Sequence, residues 1–142
     1  MTTKKAKYKR EILTTREEAL KAAHRYFDNA KKTISKVPVE YGRYTDSKYV
    51  SEAAGTAYLA ALRAIDSYLL GKGIHHDQLP KSIKGYWTAL DKYIPLNGKL
   101  AASLDTVYEN LHVFAYYRNG IGVGLIKEGF NCVKKIIDMM AK

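Results

Sequence analysis

The sequence predicts an all-α protein, an antiparallel up-and-down four-helix bundle with one additional short helix. Two observations carry that prediction. Apolar residues recur at steps of three and four in five separate stretches, and nowhere do they keep the alternation that a half-buried strand requires. Four stretches are long and one is short, with turn residues between them, so consecutive long helices should run antiparallel.

In the first stretch, Leu20, Ala23, Phe27, Ala30 and Ile34 share one helical face. Thr15 followed by Glu18 fits a capping box, in which each side chain satisfies an amide left unpaired at the helix start. Val37-Pro38 stops the helix, because proline disfavours helical backbone before it and donates no N–H. The segment VPVEYGRYT then reads as a tyrosine-bearing connection rather than a strand, since Pro38 and Gly42 interrupt it.

The second helix runs from Asp46 to Leu70 with Val50, Ala54, Ala57, Ala61, Ile65 and Leu69 in one stripe and Gly71 as its stop. Ala53, Gly55, Ala60 and Ala64 widen the face open to close neighbours, which makes this the central element, packed on two sides. GKGIHHDQLP is a turn-rich connection to a shorter helix over Ser82 to Tyr93, carrying Ile83, Tyr86, Trp87, Leu90 and Ile94 and ended by Pro95.

After Asn97-Gly98 a helix from about Lys99 to Arg118 points Leu100, Leu104, Val107, Leu111 and Phe114 inward. On a fully buried face, Phe114→Ala would cost about 3–5 kcal/mol. Gly120, Gly122 and Gly124 make the next turn, and the last helix buries Ile126, Phe130, Val133, Ile137 and Met140. Leu62 completes the expected inward set.

Composition fits one folded domain. Of 142 residues 46% are apolar and 27% charged, which argues against wholesale disorder. Lys and Arg outnumber Asp and Glu by 24 to 14, a net charge of +10. Half of that excess comes from Lys4, Lys5, Lys7, Lys9 and Arg10, all before the first acid, Glu11. Residues 1–13 therefore read as a flexible basic arm and residues 14–142 as the bundle. Such an arm is a solvated tail, or a sequence-independent electrostatic hold on nucleic acid or an acidic partner.

The basic start is followed by EILTTREEAL where an export signal needs an apolar core, so a cytoplasmic location is expected. Glu52, Arg63 and Asp66 interrupt the most apolar stretch, which excludes it as a membrane span. Cys132 is the sole cysteine and forms no intrachain disulfide; it reads as a small structural residue.

Complete catalytic and metal-binding motifs are missing. GIGVG resembles a phosphate loop, but it lacks the preceding strand and the Gly-Lys-Ser/Thr ending that such loops need. Glu109-x-x-His112 has the spacing of a carboxylate-bundle metal ligand pair, yet it occurs once, where two copies and further inward Glu residues are required. His24, His75, His76 and His112 are accordingly expected to be structural or solvated, with no metal and no cofactor. Twelve tyrosines against three phenylalanines is a skewed inventory. Tyr41 and Tyr44 flank Arg43, and Tyr116 and Tyr117 precede Arg118, a composition suited to wet protein interfaces or to stacking on bases.

Two segments, YVSEAAGTAYLAALRAIDSYLLGKGI and YENLHVFAYYRNGIGVGLIKEGF, resemble the second helix and the penultimate-helix, corner and last-helix unit of HEPN domains, nucleotide-binding helical bundles. Arg118-Asn119 is similar to the start of the ribonuclease motif of that family, but Val123, Gly124 and Leu125 stand where its histidine should follow. The resemblance thus implies a non-catalytic HEPN-like bundle of bacterial type, a homodimer, with a protein partner such as a nucleotidyltransferase. Tyr117, Arg118 and Asn119 are the candidate anion or nucleotide-binding residues, since the planar donor fork of Arg118 suits a phosphate. The competing reading is an RNA-binding or RNA-processing protein, a ribonuclease with a non-standard site that uses His112. Six positions separate His112 from Arg118, about 600° along an α-helix, which places them on different faces of one chain.

Overall fold

A computed structural model describes residues 12–142. Five helices, α1 (Arg16–Ser35), α2 (Ser47–Gly71), α3 (Ile83–Tyr93), α4 (Gly98–Val107) and α5 (Val123–Met140), form the bundle, and a π-helical segment, Tyr108–Tyr117, continues α4. The residues of the basic arm, Lys4, Lys5, Lys7, Lys9 and Arg10, lie outside the described part.

Helix α1 begins at the expected box: the Thr15 hydroxyl accepts from the Glu18 N–H at 3.2 Å, and the Glu18 carboxylate accepts from the Thr15 N–H at 3.1 Å. The Arg16 guanidinium reaches across the bundle to the Met140 and Lys142 carbonyls at 3.1 and 2.9 Å, closing the C-terminus of α5. Helix α2 is capped by Asp46, whose carboxylate accepts from the Lys48 N–H. Its expected stripe, Val50, Ala54, Ala57, Ala61, Ile65 and Leu69, is buried, and so are Ala53, Ala60 and Ala64 on the adjoining face. Because alanine holds neighbours at short range, α1, α5 and the π segment all pack on this one helix. Gly71 is still helical; the left-handed residue that turns the chain is Gly73, at φ +94°.

Two features depart from the sequence reading. VPVEYGRYT contains a minimal hairpin, Val39–Glu40 paired with Arg43–Tyr44, in which Tyr41 and Gly42 take φ values of +52° and +74°. Both central residues of a type I′ turn need that sign, which explains why a segment with turn residues inside it can still pair. Two-residue strands are too short to show alternation.

The second departure is the π segment. Its Arg118 N–H bonds the Val113 carbonyl five residues back, at 3.0 Å. Each turn takes up more residues than in an α-helix, so the residue that follows Leu111 inward is Ala115, and Phe114 is only half-buried. The cost expected for Phe114→Ala on a fully buried face therefore does not apply. The other expected inward residues, Phe27, Ala57, Leu62, Ile65, Leu111, Phe130 and Ile137, are buried.

Candidate functional site: an aromatic face and a basic corner

The π segment packs where its neighbours have no side chain. Leu111 lies on Gly129, Phe114 on Gly120 and Tyr116 on Gly55, and a Cβ at these glycines would stand 2.6, 2.5 and 2.9 Å from the respective side chains. These three bare patches make room for the wider helix. At its end the Gly120 N–H bonds the Phe114 carbonyl at 2.7 Å, with Asn119 left-handed at φ +58°. Asparagine tolerates that conformation, so Asn119 serves as the turning residue of the corner.

Tyr108, His112 and Tyr116 recur every four residues and place their rings in one row. His112 stacks on Tyr58 of α2 at 4.6 Å between centroids, on Tyr108 at 5.3 Å and against Tyr116 at 5.8 Å. Tyr58 is buried, which pushes its phenol up to about 12 and keeps it neutral. Beside the row is a groove of about 400 Å³ lined by Glu52, Gly55, Thr56, Leu59, His112 and Tyr116. Tyr49 precedes Glu52 by one turn of α2, and Tyr49, Leu59, Tyr116 and Tyr117 are all strongly exposed.

The expected anion-binding residues sit at the adjoining corner. Arg118 lies over the ring of Tyr117, 5.8 Å from its centroid, and both are exposed with Asn119. The hairpin docks against this corner: the Tyr44 N–H bonds the Ile121 carbonyl at 2.9 Å and the Val123 N–H bonds the Gly42 carbonyl at 3.0 Å. Two tyrosine-arginine clusters, around Arg43 and Arg118, thereby come to one end of the bundle. Among the described residues neither arginine forms an ion pair. Glu109 and His112 do not join in a group of potential metal ligands, and His112 belongs to the tyrosine row while Arg118 caps the segment.

A second polar region escaped the sequence reading. Asp66 and Arg63, read there only as interruptions of an apolar stretch, face α3 and a cavity of about 570 Å³ that also touches Tyr26, His76, Asp77 and Lys81. The Tyr86 hydroxyl donates to Asp66 Oδ1 at 2.8 Å, and Arg63 Nε stands 3.1 Å from Oδ2. Arg63 Nε makes no hydrogen bond, so this last contact is held by charge alone. Burial raises the Asp66 pKa to about 6, against the opposing pull of Arg63 and the Tyr86 hydrogen bond. The i, i+3 spacing of Arg63 and Asp66 was the available signal.

Among the described residues no helix is long and apolar enough to cross a membrane. Cys132 is buried and free. A search of curated proteins gives no match. Among solved structures, a protein of unknown function from Dyadobacter fermentans is similar, with 33% identity and a TM-score of 0.73 over 89% of this chain and 96% of that one. The family model described as Domain of unknown function (DUF5618) matches residues 18–142, and the chain belongs to that family.

Proposed function

We propose that the chain is a non-catalytic binding or assembly module, HEPN-like in its helix order, that pairs with a second copy of itself through the aromatic face of α2 and the π segment. One observation carries this reading: Leu59 and Tyr116 are large, exposed and line one groove, with the exposed Tyr49 one turn before Glu52 on α2 and the exposed Tyr117 next to Tyr116 in the chain. Contiguous exposed apolar surface rimmed by polar groups is the usual mark of an interaction site, and tyrosine is enriched there. The face also carries charges of both signs. Glu52 lies in the groove while Lys48 and Arg118 lie outside it, so two copies related by a two-fold axis can set the acid of one against the cations of the other.

The HEPN-like part rests on the long central α2, the short α3 and the Arg118-Asn119 corner before the last helix. The first turn of α5 there offers Val123, Gly124 and Leu125, none of which can move a proton. That favours binding over catalysis.

The gathering of Arg43 and Arg118 with Tyr41 and Tyr117 at one end favours RNA binding as a second reading, through phosphate contacts and stacking. Incubation with mixed RNA, with and without divalent metal, separates the two. The module reading expects intact RNA and no shift; a salt-dependent gel shift without cleavage, weakened by Arg118→Ala, supports RNA binding. Cleavage abolished by His112→Ala would overturn the non-catalytic account.

A further inference from the structure

His75, His76 and Asp77 lie in the connection from α2 to α3, where the 3-10 turn His76–Gln78 gathers their side chains. Their ligand atoms all lie within 4.8 Å of one another. Asp77 stands between the two imidazoles: His75 Nδ1 is 3.5 Å from Oδ2 and His76 Nδ1 is 3.2 Å from Oδ1. Two donors about 2.0–2.1 Å from a tetrahedral ion stand about 3.3 Å apart. Each imidazole nitrogen lies near that distance from one of the two carboxylate oxygens.

The two imidazoles are 4.3 Å apart between centroids, with the Asp77 carboxylate beside both. A single divalent ion supplies one positive centre that all three ligands use. It would replace the 3.3 Å hydrogen bond from the Asp77 N–H to His75 Nδ1, a long one. His76 and Asp77 also line the cavity of Arg63, Asp66 and Lys81, which leaves room for water or an anionic oxygen on the ion.

We propose that His75, His76 and Asp77 bind one divalent transition-metal ion of the zinc class, with its fourth position open at the rim of the Arg63–Asp66 cavity. Two imidazoles and one carboxylate are the donor set such ions favour. Zinc chloride titrated calorimetrically into the full chain near neutral pH tests this directly. The expected result is saturation at one ion per chain, with affinity falling at least about tenfold in His76→Ala and in Asp77→Asn. His24→Ala and Cys132→Ser, which lie outside the triad, should bind as the parent chain does, and circular dichroism should report unchanged helix in every variant. Absence of saturable binding, or binding by His76→Ala equal to the parent, would overturn the proposal, as would loss of the ion in Cys132→Ser or His24→Ala.

Discussion

Leu111 packs so closely on Gly129 that a Cβ on the glycine would lie 2.6 Å from the leucine Cγ and Cδ2. Gly129 is buried in α5 and Leu111 is fully buried in the π segment, so neither can step aside. An exposed helical glycine gains about 1 kcal/mol on becoming alanine. Here overpacking of about 1–3 kcal/mol opposes that gain. Gly129→Ala should therefore bring none of that gain and destabilise by up to about 2 kcal/mol in urea unfolding. Gly120→Ala should cost less, because the half-buried Phe114 ring that it meets can swing outward.

Asp66 sets a pH dependence. Folded, it holds its proton to about pH 6 because burial disfavours the charged form; unfolded, it reverts to the ordinary aspartate value of 3.8. Between those values the folded chain binds more protons, so stability falls as pH rises through the window and is flat above it. The change is about 3 kcal/mol at one pKa unit per 1.36 kcal/mol. Asp66→Asn should remove this fall, leaving the slope of the remaining groups. Urea midpoints from pH 3.5 to 7 check it: identical profiles for parent and variant would show that Asp66 is not buried against Arg63 and Tyr86.

Tyr41 occupies a left-handed position at φ +52° with its ring wholly in solvent. An aromatic residue pays for that conformation without any packing return, whereas Asn-Gly is the preferred pair in a type I′ turn. Tyr41→Asn should raise stability by about 1 kcal/mol and the melting temperature by a few degrees. A fall in melting temperature would mean that the ring is not free.

The helices were legible because their stripes depend only on local period. Val50 to Leu69 on α2 and Ile126 to Met140 on α5 are buried as their spacing requires. The period itself misled at Phe114, since nothing in YENLHVFAYY marks the switch to five-residue bonding; the signal lies outside that segment, in its packing partners Gly55, Gly120 and Gly129. The hairpin was missed for a related reason, as its pairing depends on docking to residues 121–123. Arg118 is a candidate from the likeness of Arg118-Asn119 to a family motif and from its planar donor fork, whereas the meeting of Arg43 with that corner, and of Asp66 with Tyr86 across twenty residues, is tertiary.

Sedimentation velocity of the full chain at micromolar concentrations, beside Tyr116→Glu, tests the assembly account most directly. The parent should sediment at twice the chain mass of 16.0 kDa and the variant as a folded monomer, because a charge on the aromatic face cannot be buried against a second copy. A parent chain that stays monomeric at tens of micromolar, or a Tyr116→Glu variant that still dimerises, would contradict it.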